Sequence, residues 1–225
     1  MVSNLLGDIW VPPALSAILS TSEFVTREGF LPQKSLNYRD DERLSVVLAL
    51  PSHQGDYADE WDEEHELYSF DGHDSTTVES GKLRDQIGMY PDGRLTDNGR
   101  FKQAADAFAA GSRQALQVQV YEKLDVGAWF DKGIFNLIAS GKKTATDRLV
   151  FTFTMRPADS GRLDLDDTYR EERFMSAAIK AQVWRKARGR CMHCGDEKGL
   201  RFIPDVSGSQ LLCPRGRGEN PGLLG

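Results

Sequence analysis

The sequence has few cysteines, no long apolar run and no excess of positive charge, and each lack narrows what it can do. Cys191, Cys194 and Cys213 are the only cysteines among 225 residues, and all three lie in the last 35. An odd count confined to one end excludes a disulfide framework; such spacing instead points to a metal site, intact or decayed. No stretch approaches the ~18 apolar residues of a membrane span, so no membrane partner is expected. The opening MVSNLLGDIWVPP has no basic segment leading into an apolar core and a cleavage site, so no secretory signal is read there and a cytoplasmic protein is expected. His53, His65 and His73 stand beside no paired nucleophile, which leaves them as surface residues. The net charge of −6 argues against indiscriminate nucleic-acid binding. That charge is split, however. Residues 180–225 carry nine Lys/Arg against four Asp/Glu, and the rest carries nineteen against thirty.

What is present reads as strands with a few helices. LSVVLAL (44–50) is a short apolar run stopped by Pro51, as for a buried strand. PDGRLTDNGR (91–100) is turn chemistry, and FKQAADAFAAG (101–111) is a helix with Phe101, Ala104, Ala105 and Phe108 on its apolar side. ALQVQVYEKL (115–124) alternates at the strand period. GIFNLIASG (133–141) and RLVFTFTMRP (148–157) are two further strands. In the second, Leu149, Phe151, Phe153 and Met155 share one face and Val150 takes the other. The expected class is α+β, a strongly curved, barrel-like sheet with packed helices, ending near Pro157. Residues 158–169 read as a linker and 168–188 as one helix. The Gly-rich tail from Cys191 is too short for a core of its own without a metal or a partner. The domain division is therefore 1–157, 158–190 and 191–225.

The densest feature is GDYADEWDEEHELYSFDG (55–72), with eight carboxylates among aromatic residues. It follows the strand 44–50. After it come SGKLRDQ, RLTDNGRFKQA, ALQVQVYEK, WFDKGIFNLI and a strand ending in Arg-Pro. This order and spacing resemble the SRA (YDG) domain, which binds duplex DNA containing 5-methylcytosine, over about residues 7–157. The resemblance implies that a modified cytosine is flipped out of the duplex into a pocket, at a cost of a few kcal/mol. Tyr57 and Phe70 match the two stacking positions of that pocket. Glu60 matches the acceptor for the cytosine amino group, with Asp59 as the alternative acid. Asp71 stands where the family has Thr, and Phe70 where it has Tyr, so a hydroxyl is lost but the π face is kept. Tyr57 has a plain alternative as a core aromatic, and Asp62, Glu63, Glu64 and Glu66 as solvated acids. Lys82, Leu83 and Arg84 match a loop that fills the gap left by the flipped base. Arg84 is positioned to read the orphaned guanine and Leu83 to wedge between base steps; the alternative is a plain basic surface loop. WFDKGIF carries one residue more than the family's Tyr-Asp-Gly-Ile-Tyr, and its aromatics read as core. Thr96 and Asn98 read as fold-holding, with a helix cap among their roles.

The tail CMHCGDEKGLRF…LLCPR resembles the zinc framework of an HNH nuclease joined to a bacterial SRA-like domain. An intact framework has two Cys-x-x-Cys knuckles. Here the position three after Cys213 is Gly216, and FIPDV (202–206) holds no histidine to activate water. The tail therefore reads as a degenerate module with no catalytic residue. No cofactor is expected, and zinc on Cys191, Cys194 and Cys213 would be weak unless Asp205 or a partner chain completed the site. Arg185, Lys186, Arg188 and Arg190, with Arg215 and Arg217, are the expected phosphate contacts. The expected function is non-cleaving recognition of modified cytosine in double-stranded, nucleoid-associated DNA, with a homodimer left open. The alternatives are a modification-dependent HNH endonuclease and an SRA-like fold used for protein or RNA contacts.

Overall fold

A computed structural model describes residues 18–39, 41, 43–49, 59–62, 64–74, 84–145, 147–158, 175–203 and 208–213. Ten strands and three helices occur among them. In chain order they are β1 (Ile18–Ser20), α1 (Thr21–Glu28), β2 (Leu36–Asn37), β3 (Ser45–Ala49), β4 (Glu60–Asp62), β5 (Leu67–Asp71), α2 (Asp97–Ala109), β6 (Leu116–Asp125), β7 (Ala128–Ala145), β8 (Arg148–Pro157), α3 (Ala177–Ala187), β9 (Arg201–Ile203) and β10 (Gln210–Leu212). The first eight strands form one mixed sheet in the order β2-β3-β6-β7-β8-β5-β4, with β1 also on β7; β9 and β10 make a separate hairpin. The sheet is open and the class is α+β, as expected.

One strand organises this sheet. β7 runs for 18 residues, twice the length read from the sequence. Its first part pairs with β1 and its last part with β8, while β6 follows the other edge as far as Leu137. Register slips mark its course. Val120 faces Gly133 but Tyr121 faces Asp131, so Lys132 is the extra, bulged residue. A second slip lies between Leu137 and Ala139. Each bulge bends a strand and increases its twist, which gives the sheet its curvature. Lys132 is the residue by which WFDKGIF exceeds the family pattern, so the insertion is taken up as a bulge.

Both faces of the central strands are covered. In β3, Val47 and Ala49 pack with Phe101, Ala104 and Ala105 of α2, while Val46 and Leu48 pack with Phe24 of α1, Tyr121 and Trp129. A strand buried on both faces needs no polar alternation, which is why LSVVLAL is apolar but for Ser45, whose hydroxyl accepts from Arg39 N at 3.1 Å. Phe151, Phe153 and Met155 of β8 join the α2 side; Leu149 does not, and is 42% exposed where the strand begins. Leu149 sits at the rim, and its N–H donates to Asp85 Oδ1 at 2.8 Å rather than to a neighbouring strand. α1 carries a readable start signal that the sequence reading passed over. Ser20 Oγ accepts from Glu23 N, and Glu23 Oε2 accepts from Ser20 N at 2.8 Å.

The tail is not left to find a core by itself. α3 and the β9–β10 hairpin pack Val183, Leu200, Phe202 and Leu211 with Cys191 and Cys213 against Leu124, Ala128 and Phe130 of the sheet. The junction also holds a buried ionic group. Glu122 of β6 meets Lys180 of α3 at 2.7 Å and Lys132 of the β7 bulge at 3.6 Å. Lys180 also lies 3.9 Å above the Phe130 ring. Burial would raise the Glu122 pKa, but Lys132 and Lys180 outweigh it and hold the carboxyl below its ordinary 4.5. A lowered carboxylate pKa contributes stability that is present above 4.5 and lost as pH falls through the folded value. Glu122→Gln, followed by urea unfolding, is expected to cost about 3–5 kcal/mol at pH 7, since it strands two buried ammonium groups. It should also flatten the acid limb of the stability profile below pH 4.5.

Candidate nucleic-acid interface

Three segments singled out in the sequence meet at the end of β5: Asp71-Gly72-His73-Asp74, Arg84-Asp85-Gln86 and Thr96-Asp97-Asn98-Gly99. No regular pairing is open to them beyond the strand end, so side chains satisfy their backbone groups. Gly72 N donates to Phe151 O at 2.9 Å. Gln86 acts as a false strand: its Oε1 accepts from Phe151 N at 2.8 Å, and its Nε2 donates to Gly72 O at 2.7 Å and to Asp74 Oδ1 at 3.0 Å. Asn98 clamps His73 by two 2.9 Å bonds, one from the His73 N–H and one to its carbonyl. Thr96 caps α2, accepting from Gly99 N at 3.1 Å, and donates to Ile87 O at 2.7 Å. The fold-holding part expected of Thr96 and Asn98 is therefore what their side chains do. Glycine is required where these segments cross, since a Cβ on Gly99 would stand 1.8 Å from Gly88 O.

Arg148, first residue of β8, ties this knot to the segment 75–83. Its guanidinium pairs with the Asp74 carboxylate and donates to Arg84 O at 3.2 Å. One buried side chain thus holds both ends of the segment that carries Lys82 and Leu83. Those two residues and Tyr57 lie outside the described residues. Arg84 is described, and its side chain is exposed.

The acids of the expected pocket are partly assembled. Asp59 Oδ1 accepts from Asp71 N at 3.4 Å, so the segment following Tyr57 is held against the end of β5. Asp71 is 3% exposed and pairs with Lys143 of β7 at 2.8 Å. The Asp71 side chain is thus already engaged by a cation of β7. Glu60 opens β4, opposite Ser69. Phe70 departs from expectation. It is 2% exposed and packs in the α2-side core, opposite Phe153. It alternates with the exposed Ser69, so the strand period turns its ring inward, and it offers no free face for a base. Asp62 and Glu64 face solvent as expected, and Asp62 accepts from His65. His73 is not the surface residue expected: half-buried, its Nδ1 lies 3.2 Å from Ser35 Oγ. Burial, then Lys34, lowers its pKa.

Gln86, Asp74, Lys143 and Arg148 were missed. Gln86 stood in a quoted motif and Arg148 opened a recognised strand, but their partners lie far along the chain and no local spacing announces them. Around the knot, cations stand among Asp59, Asp71, Asp74, Asp85 and Asp97. Arg84, Lys142 and Lys34 are exposed, with Lys143 half-buried, and Lys142 Nζ lies 4.7 Å over Phe151.

The basic residues of the C-terminal part lie elsewhere. Arg185 and Lys186 are exposed in the last turn of α3, Arg188 is its left-handed cap, and Arg190 is exposed and paired with Glu197 at 2.8 Å. α3 packs where β7 begins, near Phe130, whereas the knot sits by Lys143 near its end. The sulfurs of Cys191, Cys194 and Cys213 converge, all within 4.8 Å of one another. Burial alone would raise the Cys191 thiol, but backbone N–H groups of Cys194, Cys213 and His193 pull it down to about 6.

No protein-family model matches the chain, and no curated protein matches it. Among solved structures, the SUVH5 SRA domain bound to fully hydroxymethylated CG DNA superposes with a TM-score of 0.48 and 18% identity, covering 69% of this chain and 96% of that one. The same domain with fully methylated CG DNA gives 0.47 and 16%, with the same coverage. SUVH9 gives 0.46 and 10%, covering 79% of this chain and 32% of that one. Identities this low speak to fold alone, and TM-scores this low leave even that to the chain's own topology.

If Arg148 holds the roots of the 75–83 segment, Arg148→Met leaves Asp74 buried without its guanidinium. A loss of about 3–5 kcal/mol is expected. Amide exchange should rise first at Gln86, Gly72 and Phe151, while the β6–β7 ladder stays protected.

Proposed function

We propose that this chain reads modified cytosine in double-stranded DNA by drawing the base out of the helix, and that it does so without cutting the strand. The observation that carries the reading is the Arg148 clamp. Flipping requires a pocket for the extruded base and a plug for the gap it leaves, one nucleotide apart. Asp59 and Asp71, neighbours in sequence of Tyr57 and Phe70, stand at the end of β5. The segment with Lys82, Leu83 and Arg84 is rooted by Arg148 in the same knot. The pocket acids thus share one base with Asp74 and Arg84, which flank the proposed plug segment.

Within this reading Tyr57 supplies the stacking surface, because Phe70 is committed to the core. Glu60 or Asp59 accepts from the cytosine amino group. Arg84 donates to the orphaned guanine, a contact worth ~1–3 kcal/mol of discrimination. Lys34 and Lys142, exposed beside the knot, are the cations offered to phosphates. Catalysis is not part of the proposal. The tail's lone histidine, His193, sits between the knuckle cysteines, and FIPDV supplies no base.

The test is a fluorescence-anisotropy panel on one duplex carrying cytosine, 5-methylcytosine or 5-hydroxymethylcytosine at a single position. Preference for a modified base is expected, weakening with salt as counterions are released. Tyr57→Ala should reduce that preference by about 1–3 kcal/mol, and Glu60→Ala should reduce it as well, with Asp59→Ala alongside to separate the two acids. Phe70→Ala should instead lower stability by about 3–5 kcal/mol as a core cavity. Equal affinity for all three duplexes, or full discrimination in the Tyr57 and Glu60 variants, would refute the reading. With Mg²⁺ or Mn²⁺ the modified duplex should stay intact.

A further inference from the structure

The ligand count in the sequence argues against a metal in the tail, yet the fold gathers what metal-ligating groups there are. Cys191 and Cys194 belong to a turn after α3, and Cys213 follows β10. They are brought together from 19 and 22 residues away, with Cys194 Sγ 3.2 Å from Cys213 Sγ. All three sulfurs lie within 4.8 Å of one another. Zinc–thiolate bonds of ≈ 2.3 Å set the sulfurs of a tetrahedral site about 3.8 Å apart. The triad therefore has the dimensions of one face of such a tetrahedron.

The surrounding backbone is shaped to serve these sulfurs. Cys213 N donates to Cys191 Sγ at 3.4 Å. Gly195 N closes the turn on Cys191 O at 2.9 Å, and Gly195 takes a φ of +80°, open to glycine without strain. Met192 N donates to Leu211 O at 2.8 Å, fixing the turn to the hairpin that delivers Cys213. Three thiols cannot all be satisfied by one disulfide. A cluster of this composition answers to a cation that favours thiolate, for which Zn²⁺ is the ordinary intracellular candidate. The tail also needs such a staple: its apolar side chains are few, and Cys191 and Cys213 sit in the middle of them.

We propose that Cys191, Cys194 and Cys213 together hold one Zn²⁺ ion as a structural site, with a non-cysteine donor or water in the fourth position. The metal fastens the knuckle to the β9–β10 hairpin and so keeps the tail on the sheet. This is independent of DNA reading and stands or falls without it.

The experiment uses the full chain, reduced and purified without added metal chelators. Elemental analysis should find about one zinc per chain. Removing it with a strong chelator should lower the melting temperature, and restoring zinc should recover it. Cobalt substituted for zinc should give sulfur-to-metal charge-transfer absorption. Cys194 is exposed, so Cys194→Ala should fold, and its cobalt absorption should fall by about a third, one thiolate of three. His193→Ala, whose side chain lies outside the triad, should leave the spectrum unchanged. A folded, reduced protein that takes up neither zinc nor cobalt overturns the proposal. So does a Cys194→Ala variant with undiminished sulfur-to-cobalt absorption, or a reduced preparation in which Cys194 and Cys213 are found as a disulfide.

Discussion

The bend of β7 at Asp131 is the constraint on which the rest of the structure depends. The strand must pair with β1 and β6 at its start and then swing to carry β8. At the turn of this path, Asp131 Oδ1 accepts from Gly133 N at 2.8 Å and also from Gln119 Nε2. Its other oxygen pairs with Arg27 of α1 at 2.8 Å. Gly133 takes a φ of +84°, which a side chain would resist. A carboxylate filling backbone, side-chain and cationic bonds at once fixes the bulge and docks α1 on the same residue. At the bulge, Lys132 turns inward to Glu122, the same carboxylate that Lys180 of α3 meets.

Charge follows the same logic at three places. Glu28 accepts from Tyr121 and pairs with Arg39 at 3.0 Å beside α1. Glu122 meets Lys132 and Lys180 beneath α3. Asp74 meets Arg148 under the 75–83 segment. Each is an acid largely shielded from solvent and answered by a cation from another element or loop. Such pairs contribute modestly to net stability but strongly disfavour arrangements that separate them. They sit where helices and loops join the sheet, where apolar contact alone would allow an element to slide.

Much of the architecture was legible because it is periodic. The burial of β3, the shared face of Phe151, Phe153 and Met155 in β8 and that of Phe101, Ala104 and Ala105 in α2 follow from spacing along the chain, whereas Phe108 is exposed and β6, read as alternating, is buried on both faces from Val118 to Glu122. α1 was legible too, through Ser20 and Glu23, though it was passed over. The length of β7 was not, because GKKTA looks like a polar loop; those residues form strand because β8 pairs back along them from Arg148 to Thr152. Within the candidate site, motif order named the segments and the fold brought them together, while Gln86 and Arg148 are visible only in three dimensions. Phe70 shows the limit of position-by-position transfer. A residue can match a functional position and still be claimed by the core when its strand alternates the other way.

The knot and the tail sit toward opposite ends of β7, and under the proposed reading this would separate what each does to bound DNA. Phe130 and Lys143 are thirteen positions apart on the strand, at most about 43 Å if it were straight. The bulges shorten that distance but do not bring α3 beside Asp71 among the described contacts. Were DNA held as proposed, positive charge on Arg185, Lys186 and Arg188 would meet phosphates away from a base at the knot. Phosphate contacts add affinity without regard to sequence or modification. Discrimination resides instead in the few side chains that touch the base. On the proposed reading, selectivity would therefore scale with the rigidity of the knot, and that rigidity comes from Gln86, Asn98 and Arg148 rather than from the acids that crowd the sequence before it.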